Sequence, residues 1–177
     1  MVHEIILAGF GGQGILSAGR LLAHAGMLDG KHVSWLPSYG PEMRGGTANS
    51  SVVISENPVD SPVLYSCNEL IVMNRPSLDK FEGLVEEGGI IIIDSSIVDR
   101  DVKRNDIVSF KVPATKIASD MGNMAYANII LLGKLIKERN TVTVENFEKA
   151  LYAVLPEKKH NLIPEEMKAL KIGMEYI

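Results

Sequence analysis

The feature that most constrains this chain is a glycine-rich turn set between a short apolar run and a helical pattern. Ile5-Ile6-Leu7-Ala8 is continuously apolar, as expected of a strand buried on both faces, and it runs directly into Gly9-Phe10-Gly11-Gly12-Gln13-Gly14. From Ile15, apolar residues recur at helical spacing through Leu16, Leu21, Leu22 and Ala25, and Gly26 and Gly30 punctuate the end of the segment. A G-x-G-x-x-G turn in that strand–turn–helix context predicts the start of a Rossmann-like unit. Glycine permits a tight turn and close backbone approach, and the first N–H groups of the helix are open to an anion. Three readings stand side by side. The glycines serve only close packing, or they bind NAD or a flavin, or they receive another phosphate-bearing group or a partner's loop. No Gly-Lys-Ser/Thr follows, so this is not a Walker loop. The second predicted strand ends in Leu36-Pro37-Ser38, without an Asp or Glu to hold an adenine ribose. The amide of Gln13 is read as able to point into the crevice.

The rest of the chain predicts an α/β fold. Strands are expected over Val33 to Leu36, Thr47 to Ser55, Leu70 to Met73, Ile90 to Ile93 and Ile107 to Val112, each a short apolar or β-branched run. Ser77 to Glu87 reads as a helix capped by Ser77 and stopped by Gly88-Gly89. From Ala114 onward only helices are expected: Met121 to Lys137, Thr143 to Leu155, and a last one starting near Pro164 and reaching Tyr176. Strands alternating with helices imply a mainly parallel sheet with helices on both faces and a helical C-terminal third. The absence of a clear helix between the second and third strands predicts one irregular or antiparallel connection. The expected organisation is one domain over 1–177, with a sheet core over 1–113 and a helical part over 114–177.

Composition narrows the function. A net charge of -4 argues against nucleic-acid or anionic-membrane binding, both of which need clustered positive charge. The lone cysteine, Cys67, excludes an intrachain disulfide and a self-contained iron–sulfur cluster, which needs about four thiolates. A single thiol also suggests a reducing, cytoplasmic setting. The N-terminus lacks the basic region of a secretion signal, and the longest apolar run, Ala125 to Leu132, is too short to span a bilayer.

A second unusual segment follows the second strand: Pro37-Ser38-Tyr39-Gly40-Pro41-Glu42-Met43-Arg44-Gly45-Gly46. It combines an aromatic, a carboxylate and a guanidinium among glycines, and Arg44 beside Gly45-Gly46 offers a fork to a carboxylate or phosphate. A Glu42–Arg44 pair bracing a long loop is the plainer reading. Together, Gly11-Gly12-Gln13-Gly14 and Ser38-Tyr39-Gly40-Pro41-Glu42-Met43-Arg44-Gly45-Gly46 resemble the gamma subunit of 2-oxoacid:ferredoxin oxidoreductases. The similarity continues through Val53-Ile54-Ser55, Val72-Met73-Asn74 and the segment around Asn123 and Asn128.

The resemblance implies an enzyme that converts a 2-oxoacid and coenzyme A to acyl-CoA and carbon dioxide while reducing ferredoxin. Thiamine diphosphate with its Mg would lie between alpha and beta subunits, and iron–sulfur clusters in beta or a small delta subunit. The gamma chain would be Rossmann-like, pack on that core, bind none of these cofactors and be inactive alone. Pyruvate-type members tend to read Phe-Gly-Pro-Glu-Arg-Arg-Gly in the second loop, so the sequence here looks closer to the 2-oxoglutarate members, with branched-chain members next. The resulting candidates for ligand or partner binding are Gly9, Gly11, Gly12, Gln13, Gly14, Ser38, Tyr39, Gly40, Glu42, Arg44, Gly45, Gly46, Asn123 and Asn128, with no catalytic or metal-binding residue. The alternative is a free-standing NAD- or flavin-binding protein.

Other residues invite blander readings. Met121 to Ile136 is apolar on almost every face, so it is either a central helix or a contact with another subunit. Asn123 and Asn128 would then be buried amides needing partners, or groups at the mouth of the sheet. His3, His24, His32 and His160 are expected at the surface or in helix packing. Asp94 either faces the crevice or caps the segment after it.

Overall fold

The computed structural model of the chain describes residues 1–38 and 47–177. Among these residues, six strands form one sheet: β1 (Val2–Phe10), β2 (His32–Ser38), β3 (Thr47–Ser55), β4 (Cys67–Val72), β5 (Val85–Asp94) and β6 (Val108–Val112). Their spatial order is β2-β3-β1-β4-β5-β6. β1, β4, β5 and β6 pair in parallel, whereas β3 is antiparallel to both β1 and β2. The sheet is therefore mostly parallel, and the antiparallel connection expected after the second strand is β3.

Among the described residues, six α-helices flank the sheet: α1 (Ile15–Leu28), α2 (Arg75–Phe81), α3 (Ala114–Asp120), α4 (Ala127–Arg139), α5 (Val144–Val154) and α6 (Ile163–Glu175). Strand alternation sends Ile5, Leu7, Ile71 and Ile92 to one face, where they join Leu22 of α1, Ala118 of α3, Leu131 and Leu135 of α4, Phe147 of α5 and Leu170 of α6. The other face presents Ile6, Leu70, Val72 and Ile91 to Leu78 and Phe81 of α2 and to Val98 in the β5–β6 connection. Both faces carry helices, but unequally, because the helical C-terminal third lies on the α1 side.

α4 is the central helix of that side. Ile130, Leu131, Leu132 and Leu135 are fully buried, which explains why its apolar residues are not confined to one stripe. It starts at Ala127, later than the expected Met121, because α3 ends at Asp120 and Gly122 adopts φ 89°. Two further boundaries differ from expectation. The cap of α2 is Asn74, whose side chain accepts from Ser77 N–H at 2.8 Å, with proline in the first turn. The segment expected to remain helical to Glu87 turns into β5 at Val85. Gly88, at φ 78°, and Gly89 belong to a bulge, since pairing shifts from Cys67↔Val85 to Glu69↔Ile90. Gly26 does not end α1 either. It lies inside the helix, packed against Val33 and Ile54, where a larger residue would hold α1 off the sheet.

Candidate functional site

β1 and β4 are neighbours whose connections leave on opposite faces, α1 on one and α2 on the other. The crevice beyond their C-terminal ends is the topological switch point, where open α/β sheets bind ligands. The glycine turn occupies that position. Gly12 (φ 90°) and Gly14 (φ 75°) both sit in left-handed conformations that a side chain resists, which explains two of the glycines. Gly14 is the N-cap of α1 and supplies no side-chain cap. The first helical hydrogen bond is Ala18 N–H to Gly14 C=O, 2.9 Å. The N–H groups of Ile15, Leu16 and Ser17 precede it, and all three residues line a cleft of about 250 Å³ together with Phe10, Gly11 and Ala48.

Gln13 lines the crevice, but both ends of its amide are held by backbone. Its Oε1 accepts from Phe10 N–H at 2.6 Å and its Nε2 donates to Met73 C=O at 3.1 Å. The side chain thus latches the turn to the end of β4, and both ends of the amide are used on backbone. Asn128 completes the brace: its Nδ2 donates to Gln13 C=O at 3.1 Å and to Gly14 C=O at 3.4 Å. A β-carbon on Gly9 would stand 2.5 Å from Gln13 Oε1, so Gly9 makes room for the latch. Asn123 accepts from Ala125 N–H at 3.0 Å and caps the short turn before α4. Neither asparagine is an orphaned buried amide.

On the β4–β5 side of the turn lies a second cleft of about 240 Å³, lined by Gly12, Gln13, Met73, Ile97, Thr115, Met124, Ala125 and Ala127. Met124 is 64% exposed and Ile97 40%, so the rim is apolar. Asp94 does not face this cleft as a free carboxylate. It is fully buried and accepts from Thr115 Oγ1 at 2.5 Å, Thr115 N–H at 3.2 Å and Ser96 N–H at 3.1 Å, tying β5 to the start of α3. None of the described lining residues of either cleft is charged. Among the described residues, the groups at this edge suited to an anion are therefore backbone N–H groups.

That segment attaches at the same edge. Phe10 pairs with Thr47, and Ser38, exposed at the end of β2, pairs with Asn49, which also pairs with Ala8. The candidates Tyr39, Gly40, Glu42, Arg44, Gly45 and Gly46 lie outside the described residues. The interposed β3 has a further effect. It puts β2 two strand spacings from β1, roughly 10 Å, so the end of β2 is displaced from where a dinucleotide ribose needs its partner.

At the opposite end of the sheet, sequence reasoning missed a buried ionic cluster. Glu69, fully buried at the start of β4, accepts from Arg139 Nε at 2.8 Å and pairs with His3 Nδ1 at 2.7 Å. His3 is therefore interior rather than superficial. Partners 66 and 70 residues apart leave no local signal.

This arrangement defines a Rossmann-like fold whose crevice, among the described residues, is lined by uncharged side chains. A profile of the pyruvate ferredoxin/flavodoxin oxidoreductase family matches residues 4–176. The ketoisovalerate oxidoreductase subunit VorA of Methanothermobacter marburgensis is 40% identical over 98% of this chain, which spans 36% of that protein's length. The 2-oxoglutarate synthase subunit KorC of Methanocaldococcus jannaschii is 40% identical over 88% of this chain and 85% of its own. Among solved structures, a keto/oxoacid ferredoxin oxidoreductase gamma subunit from Geobacter sulfurreducens superposes with a TM-score of 0.83 at 31% identity, covering 98% of this chain and 96% of that one. The chain belongs to the pyruvate ferredoxin/flavodoxin oxidoreductase family, as a gamma-type subunit.

Proposed function

We propose that this chain is the gamma subunit of a 2-oxoglutarate:ferredoxin oxidoreductase, and that its two loops shape the route by which coenzyme A reaches the active centre. The reaction converts the 2-oxoacid and coenzyme A to acyl-CoA and carbon dioxide, and ferredoxin takes the electrons. Thiamine diphosphate with Mg, and the iron–sulfur clusters, belong to alpha, beta and delta partner subunits in the cytoplasm. A cluster does not fit here, because the one cysteine, Cys67, is fully buried in the apolar layer of β4. The KorC relative and the second loop favour 2-oxoglutarate, and the VorA relative makes a branched-chain 2-oxoacid the comparison substrate.

One observation carries the reading: the braced glycine turn and both ends of the 39–46 segment meet at one sheet edge. Uncapped N–H groups at the start of α1 and the guanidinium of Arg44 suit the phosphates of coenzyme A, and the apolar rim of Ile97 and Met124 suits its pantetheine arm. In the purified complex, Arg44→Ala is expected to raise the KM for coenzyme A about tenfold while leaving the KM for the 2-oxoacid unchanged. An unaltered coenzyme A dependence would sink the role of the loop. Binding of NAD or FAD by the chain alone, read by calorimetry, would favour the free-standing alternative, which the displaced β2 opposes.

A further inference from the structure

Away from the crevice, the C-terminal helices leave an apolar groove of about 630 Å³ between α6, the start of α5 and the end of α4. Its floor is Val144, Met167, Leu170 and Met174, and its rim is Lys137, Lys168 and Lys171 against the single carboxylate Glu175. A chain of net charge -4 thus gathers three lysines around one apolar trough. The pairs that temper them are long: Lys168 to Glu165 and Lys171 to Glu175, each 3.8 Å. Leu170 and Gly173 seat α6 on the backbone of α4, whereas Met167 and Met174, only half-buried against the core, lie with Lys171 on a neighbouring stripe that faces the groove.

We propose that this groove receives an amphipathic helix bearing acidic residues, supplied by another subunit of the same oxidoreductase. The inference rests on the subunit reading above. Charge complementarity selects an acidic segment, and the thioethers of Met167 and Met174 suit an apolar face laid across them. From Met167 to Met174 the floor runs for eight residues of α6, about 10 Å, enough for two turns of a docked helix. The VorA relative supports a partner from the same enzyme, since there the homologous segment occupies 36% of one longer polypeptide. Where the chains are separate, non-covalent contacts must hold what that polypeptide joins.

Carbodiimide coupling of the intact complex tests this, because it forms an amide without a spacer and so links a lysine amine only to a carboxylate within contact distance. Mass spectrometry is expected to find Lys137, Lys168 or Lys171 joined to Asp or Glu of a partner subunit. Lys168→Gln with Lys171→Gln, both exposed, should shift the thermal midpoint of the chain only slightly and weaken its association with that subunit at least about tenfold. Full assembly by this variant, or coupling of these lysines only within the chain, overturns the groove's role. Failure of the unaltered chain to co-purify with any oxidoreductase subunit overturns the subunit reading and this inference together.

Discussion

The backbone of Leu170 passes so near Gly133 that a β-carbon there would fall inside van der Waals contact with the Leu170 carbonyl oxygen. Gly173 meets the Ile130 carbonyl in the same way, so each of α4 and α6 offers a glycine to the other's backbone. Gly133→Ala or Gly173→Ala must force the helices apart, and each is expected to cost about 1–3 kcal/mol in urea unfolding. The double variant should lose less than the sum, since one separation serves both methyl groups. Strict additivity would show that the two contacts are independent.

The brace at the glycine turn is testable through a pair. Gly14→Ala combines a left-handed backbone, costing about 1–2 kcal/mol, with a clash against the Asn128 amide. In an Asn128→Ala background the clash disappears and the backbone cost remains. Gly14→Ala should therefore destabilise the chain less in that background than in the parent, as read by thermal unfolding. Equal costs in both would show that Asn128 does not confine the turn.

Glu69 has no solvent exposure and depends on Arg139 and His3, and its Oε2 has no hydrogen-bond partner among the described residues. Arg139→Ala leaves a buried carboxylate short of its counter-charge, and a loss of about 3 kcal/mol is expected. Glu69→Gln removes the charge while keeping the shape, so its cost should be smaller. A larger loss from Glu69→Gln would contradict this account.

Asp29 links the end of α1 to the start of α5. Burial works to raise its carboxyl. Hydrogen bonds from Thr143 and Asn146, with Lys31 nearby, outweigh that and hold it below the usual carboxylate range. A carboxylate lowered by folding stabilises above its unfolded value, about pH 4, and that contribution disappears as pH falls through the folded value. The stability gap between the parent and Asp29→Asn should accordingly narrow as the medium is acidified below about pH 4. A gap independent of pH would assign the link to shape alone.

Burial pushes the Cys67 thiol up to about 12, with the Glu4 and Glu69 carboxylates adding to the effect. The raised value favours the protonated thiol in the fold. Its contribution is complete below the unfolded value, about 8.5, and is lost as pH rises from there through the folded value. At neutral pH the native thiol should resist aromatic disulfide reagents and react at the rate of unfolding. Immediate native-state labelling would place Cys67 nearer solvent.

Much of this fold was legible locally. The span Thr47–Ser55 coincides with β3, and the glycine turn falls between β1 and α1 as its spacing predicts. Asn74 and Pro76 carried a cap signal upstream of Ser77, obscured because serine itself caps well. Gly88-Gly89 read as a helix stop because a bulge and a terminus use the same residue, and only pairing with β4 separates them. At the site, the glycines were visible but the inward latch of Gln13 was not, since its acceptor Met73 lies 60 residues away. Ile97 and Thr115 reach the crevice only because β5 and β6 bring their connections to that edge.

The reversal of β3 has a consequence for divergence. In a wholly parallel sheet, the stretch between two adjacent strands must cross the full length of the layer, so changing it disturbs packing. Here residues 39–46 join two antiparallel neighbours, and closing such a connection costs little extra as it lengthens. The stretch between β2 and β3 can therefore change in length and sequence while every strand keeps its partner.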